Sequence, residues 1–283
     1  MAAGRTPGAP RLRGRLPPSR AGALPGPGRR APDPVGRREL AGAVTANSHG
    51  WALRVVIPAH NEAGLLPGCL RSVAEAERHL AQAGRGSAPP VDVTVVVDAS
   101  TDGTAEVAAA HGAAVLAVDT RCVGLARAAG VDAAARGREA RPSEDVWIAM
   151  TDADTTVPAD WLSAQVEMAH SGIELFVGRA HPDPDDLPPR AVEQWWRLHA
   201  DPDELQIHGA NLGFSLAAYR RTGGFRPLPE HEDVTFVQDA LSAGLTWTHA
   251  GPWVRTSGRP SGRVSGGFSG HLRTLLPDGA AGL

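Results

Sequence analysis

Short runs of aliphatic and β-branched residues alternate with stretches of helical period through the middle of the chain, and this alternation constrains the fold most. Leu53-Arg54-Val55-Val56-Ile57-Pro58 reads as a short buried strand. A helix over about 63–83 follows, with Leu66, Leu70, Val73 and Leu80 near helical spacing. Residues 84–90 form a loop, and Val91 to Val97 is a second strand. Ser100 or Thr101 is placed to cap a helix running to His111, which Gly112 ends. Val115 to Val118 is a third strand, followed by an Ala-rich helix to about Arg136, and Val146 to Met150 is a fourth. A helix over 158–170, opened by Pro158, and a strand over 173–177 come next. Strands alternating with helices predict an α/β fold: a Rossmann-like, mostly parallel sheet with helices on both faces. Beyond 180 a Pro- and Asp-rich loop leads to an amphipathic helix near 189–200 and another near 232–243, an elaboration of the same domain.

At 283 residues the chain has room for one large α/β domain or two small ones. It contains no Lys, so all 28 basic residues are Arg. The net charge of −3 hides an asymmetry, because residues 1–50 hold nine Arg against only Asp33 and Glu39. That tail is rich in Pro and Gly and poor in large apolar residues, which predicts disorder rather than a nucleic-acid arm. Cys69 and Cys122 are too few for a disulfide framework and lack metal-ligand spacing. No apolar run spans a bilayer, and the N-terminus has no signal-peptide core, so a cytoplasmic protein is expected.

The fourth strand ends abruptly in Thr151-Asp152-Ala153-Asp154. Two carboxylates spaced i, i+2 at the C-terminal lip of a buried strand suit a hard cation such as Mg²⁺ or Mn²⁺. Capping of the next helix is the plain alternative. Pro58-Ala59-His60-Asn61-Glu62 sits where the first strand meets the first helix, and Asp98 ends the second strand before a small-residue turn. Asp98 is placed to accept from the imide N–H of a uracil. No GxGxxG follows the first strand, which argues against a dinucleotide fold. Trp195 and Trp196 are adjacent, so only one faces the core easily.

The order Pro-Ala-His-Asn-Glu, Val-Asp-Ala-Ser-Thr-Asp-Gly-Thr and Thr-Asp-Ala-Asp, followed by His208 to Phe214, Gly223-Gly224-Phe225 and Glu232-Asp233-Val234, resembles family 2 of the glycosyltransferases. The resemblance covers roughly residues 52–270 and implies a single-domain GT-A fold. It implies a nucleotide-sugar-binding half over 51–155, an acceptor and catalytic half over 156–250, a lid over 251–272 and a flexible 273–283. It further implies that a nucleoside-diphosphate sugar donates to a hydroxyl on a small-molecule, glycan or lipid acceptor, with UDP favoured because Asp98 suits a uracil edge. Glu62 and Asp98 would hold the nucleoside, with the backbone of Pro58 and Ala59 near the base. Asp152 would lie near ribose and metal, and Asp154 would be the principal metal ligand. Asp233, or else Glu232, would be the general base. Arg127 and Arg259 would face the diphosphate, and His249 would complete the metal shell. Two positions depart from the family pattern: Val97 replaces a frequent first aspartate, and Asp239 replaces a frequent Arg.

Two other classes share parts of this pattern. A non-catalytic sugar-nucleotide binder would keep the fold and lose turnover. Thr151-Asp152-Ala153-Asp154-Thr155-Thr156 also resembles the nucleophile segment of haloacid-dehalogenase-type phosphatases, with Asp152 attacking phosphate. That family places the motif after the first strand and uses a later Lys, which this chain lacks.

Overall fold

Strand β1 (Ala52–Ala59) is buried along nearly its whole length, and its side chains divide by parity. Leu53, Val55 and Ile57 point into a core shared with helices α1 (Leu66–Ala83) and α4 (Trp161–His170). Ala52 and Val56 point into a second core, under α3 (Val123–Arg136), α6 (Leu216–Thr222) and α7 (Glu232–Ser242). Burial on both faces explains why the strand reads as a continuous aliphatic run rather than an alternating one. Its one charged residue, Arg54, forms an ion pair with Asp92, its register partner on β2 (Val91–Asp98).

The computed structural model describes residues 52–84, 88–136, 146–201, 204–259 and 268–273. The tail expected over 1–50, most of 273–283 and residues 260–267 of the expected lid lie outside the described residues. Seven strands form the main sheet, in the order β3-β2-β1-β4-β8-β6-β9. Here β3 is Ala114–Val118, β4 Val146–Met150, β6 Leu175–Val177, β8 Leu212–Ser215 and β9 Trp247–Thr248. The first four are parallel, while β8 runs antiparallel to both β4 and β6. The order reverses between β1 and β4, and ligands of open α/β sheets bind outside the strand ends at such a switch.

A second sheet of three short strands lies beside this point: β5 (Thr155–Thr156), β10 (Val254–Thr256) and β7 (Ala180–Pro182). Strand β5 follows Asp154 directly, so β10 brings a distant segment against the paired aspartates. Helices α2 (Thr104–Ala110), α5 (Pro189–Leu198) and α8 (Phe268–Arg273), with a short 3₁₀ turn over Pro184–Asp186, complete the described elements. Trp195 of α5 is fully buried beside Phe268, while Trp196 is exposed.

Several expected boundaries move. Helix α1 begins at Leu66 rather than 63, because the preceding residues are engaged in cross-loop hydrogen bonds. Helix α2 begins after Gly103, and Asp102 rather than Ser100 or Thr101 accepts from its first-turn N–H, that of Thr104. Helix α4 starts at Trp161, and Pro158 instead accepts a turn bond from Trp161 through its carbonyl.

Candidate active site

The C-terminal ends of β1, β2 and β4 open into one cavity of about 820 Å³. Small-molecule sites run roughly 300–1,000 Å³. Pro58, Ala59 and Glu62 line it from β1, Asp98 from β2, and Asp152 and Asp154 from the loop after β4. Arg127 of α3, Glu232 and Asp233 of α7, and Arg259 beyond β10 close it. The fold therefore gathers every expected site residue except one. His249 does not line the cavity, and its ring instead lies 5.8 Å from that of Trp247.

The first wall is two loops zipped together. Asn61 N–H donates to Ser100 Oγ (2.9 Å), Thr101 N–H donates to Asn61 Oδ1 (2.7 Å), and Glu62 N–H donates to Thr104 Oγ1 (2.8 Å). The Nδ1–H of His60 donates to the Asp98 carbonyl oxygen at 2.6 Å. The Asp98 carboxylate is itself full. Its Oδ1 accepts from the N–H groups of Thr120 (2.6 Å) and Arg121 (3.0 Å), and Oδ2 from Thr120 Oγ1 (2.7 Å) and Cys122 N–H (3.2 Å). Burial alone would raise its pKa, but these bonds hold it below the usual carboxylate value. Four bonds use the acceptor capacity of a carboxylate, so Asp98 orders the β3–α3 loop and keeps no free lone pair for a uracil imide.

Arg127 is 3 % exposed and ties three elements together. It donates to Asp152 Oδ1 (2.8 Å), Glu232 Oε1 (2.8 Å) and the Gly209 carbonyl (3.1 Å). Burial would lower its pKa, yet the charges of Asp152 and Glu232 outweigh that and raise it. The same glycine donates its N–H to Asp233 Oδ2 at 2.7 Å. A Cβ on Gly209 would press on the guanidinium, 2.6 Å from Cζ, so a side chain at 209 would push Arg127 away from its partners. Burial raises the Glu232 pKa against the opposing pull of Arg127. Asp233 remains half-buried at the cavity wall on the first turn of α7. Asp239, the departure noted above, pairs with Arg226 (2.7 Å) on the surface.

Asp154 meets the C-terminal segment. Its Oδ1 accepts from Thr256 Oγ1 (3.3 Å), its Oδ2 from Arg259 (2.9 Å), and its carbonyl from Ser257 N–H (3.1 Å). Arg259 also forks onto both oxygens of Glu62. Burial, followed by the neighbouring Asp152 charge, pushes the Asp154 carboxyl up to about 6 despite Arg259. Thr256, Gly209 and Thr120 carry no charge and stand far from their partners in sequence. Only Gly209 lies within a conspicuous motif, His208 to Phe214, and nothing in the local sequence marks Thr120 or Thr256.

Divalent cations suit this donor set. Among the described residues, seven carboxylates face three guanidiniums in the cavity lining, and Asp152 and Asp154 offer hard oxygens. Among the described residues no group of three or more His, Cys, Asp or Glu is arranged to hold a metal ion. Two carboxylates completed by substrate phosphates match the way Mg²⁺ is usually bound. The phosphatase alternative loses its footing, since Asp152 Oδ1 is held by buried Arg127 and the motif follows the fourth strand. Among the described residues no helix is long and apolar enough to cross a membrane.

Comparison with known proteins agrees with this geometry. The family model described as "Glycosyl transferase family 2" matches residues 54–222. The chain is similar in fold to the mannosyltransferase PcManGT from Pyrobaculum calidifontis, whose structure holds GDP-Man and Mn²⁺ (20 % identity, TM-score 0.54). The match covers 75 % of this chain and 58 % of that one. It is similar also to residues 1–349 of S. aureus TarS with UDP (14 % identity, TM-score 0.52), covering 73 % of this chain and 60 % of that one. For glucosyl-3-phosphoglycerate synthase of M. tuberculosis the identity is 18 % and the TM-score 0.50, covering 83 % and 84 %. The chain thus spans about three-fifths of the TarS fragment and of PcManGT. No curated protein matches it in sequence.

Proposed function

The chain belongs to glycosyl transferase family 2, and from that premise we propose that it is a metal-dependent, inverting glycosyltransferase. It would move a sugar from a nucleoside diphosphate to a hydroxyl of a small-molecule, glycan or lipid acceptor. The observation that carries this reading is the convergence of Asp152, Asp154 and Asp233 on one cavity at the β1/β4 switch point.

Asp152 and Asp154 would hold Mg²⁺ or Mn²⁺, which supplies charge neutralisation on the departing diphosphate. Asp233 accepts the proton of the acceptor hydroxyl as that oxygen attacks the anomeric carbon. The bond from that carbon to the diphosphate breaks on the opposite side, giving inversion. Gly209 N–H fixes one Asp233 oxygen and the N–H of Val234 bonds the other at 2.8 Å, so the base is held in one orientation. Glu232 is buried with Arg127 and serves to orient rather than to take a proton. Glu62, which lines the cavity, would hold the nucleoside through its ribose, with the Pro58–Ala59 backbone near the base.

Calorimetric titration of UDP and GDP, with and without Mn²⁺, tests the reading beside Asp154→Asn. Metal-dependent binding of one nucleotide, lost in the variant, supports it and identifies the base, on which filled Asp98 carries no preference. Absence of binding to either nucleotide under any metal would overturn it.

A further inference from the structure

Arg259 stands where two carboxylates of the donor site meet. Its guanidinium takes both oxygens of Glu62 and reaches Asp154 Oδ2 at 2.9 Å. The segment delivering it is fixed: β10 pairs with β5 and β7, Thr155 and Thr256 join their hydroxyls (2.9 Å), and Gly258 N–H donates to Asp186 Oδ2 (2.8 Å). The side chain is nonetheless 29 % exposed and faces the cavity. It holds an oxygen that a hard cation at the paired aspartates also needs.

We propose that Arg259 is an internal counter-cation that shares Asp154 with the divalent metal. Metal binding is then weak until a donor diphosphate takes up the guanidinium, and metal and nucleotide bind cooperatively. This rests on the nucleotide-sugar reading above. The chemistry is symmetrical, because the planar fork that fits the Glu62 carboxylate fits a phosphate equally well. A nucleotide therefore offers Arg259 a replacement partner at the moment its ribose competes for Glu62. Asp154, relieved of Arg259, presents its oxygen to the metal. Such linkage is reciprocal, so metal strengthens nucleotide binding by the same factor that nucleotide strengthens metal binding.

The test is Mn²⁺ affinity of the full chain, read from the electron paramagnetic resonance signal of free Mn²⁺, alone and with saturating UDP or GDP. Wild type, Arg259→Gln and Arg259→Lys are compared, with thermal melting to verify folding. Arg259→Gln is expected to bind Mn²⁺ alone about tenfold tighter, within the roughly 5–150-fold range of typical couplings. The ratio of Mn²⁺ affinities with and without nucleotide shrinks correspondingly, and Arg259→Lys falls between. A folded Arg259→Gln protein with unchanged affinity for Mn²⁺ alone would overturn the proposal. If wild type binds Mn²⁺ but neither nucleotide, the donor reading fails instead, and the Mn²⁺-only comparison still decides whether Arg259 competes with metal.

Discussion

Four residues other than glycine hold a positive φ among the described residues, Asn61, Ala99, Arg121 and His231, and all four line the cavity. A side chain in that region costs roughly 1–2 kcal/mol, so the strain is concentrated where loops turn sharply at the cavity rim. Asp154 carries a second local tension. Its carboxyl, pushed up to about 6, is ionised at pH 7.5 and largely protonated at pH 5. With Asp154 as the proposed metal ligand, proton and metal would compete for it, so Mn²⁺ affinity is expected to fall about tenfold between those values, measured by calorimetry. The sign for stability is opposite. The native group holds its proton more tightly than the unfolded chain, so its effect favours the metal-free fold as pH falls from 6 toward 4. Asp154→Asn should remove that slope from urea melts. Cys69 gives a third expectation: its buried thiol donates to the Asp152 carbonyl, and burial and the Asp154 charge push its pKa up. Iodoacetamide should therefore label half-buried Cys122 in the native protein and Cys69 only after denaturation, as read by mass spectrometry. The aspartates were legible because they end strands. The burial of Arg127 and the filling of Asp98 were not, since their partners lie 22–105 residues away.

At the scale of elements, the aliphatic runs marked β1 and β4 because parallel strands covered on both faces leave no polar face to blur the pattern, whereas β3 at the sheet edge is largely exposed. Short strands were another matter. β5, β7 and β10 contain two or three residues each and exist only through pairing with segments far along the chain, so no local period announces them. Helix starts moved for a related reason: side chains that resemble local caps are spent on bonds to neighbouring loops. Helix α3 approaches β1 and β2 through Gly130, where a Cβ would collide with Val56 and lie 2.8 Å from Val96 Cγ2. Gly130→Ala is expected to cost about 1–3 kcal/mol by overpacking, measured by urea denaturation. Because α3 also carries Arg127, the substitution should weaken nucleotide binding beyond its effect on folding.

Across the whole molecule, the parallel strands β3-β2-β1-β4 are contributed by residues 52–150 through successive crossovers, and later residues add the reversed β8 and the strands beyond it. Amides of central β1 and β4, fully buried and paired on both sides, should exchange with solvent last. Those of the exposed edge strand β3 should exchange among the first of the strands. Hydrogen exchange followed by mass spectrometry would refute this ordering if β3 were protected like β1. The position of β10 also orders events during synthesis. When the ribosome has made the chain through residue 250, every strand of the large sheet has been translated, but neither β10 nor Arg259 exists. During that interval Glu62 and Asp154 have no guanidinium between them, and the nascent chain carries an acidic, unfinished cavity. The large sheet is complete first, and the cavity gains its β10 wall only when residues 254–259 have been added.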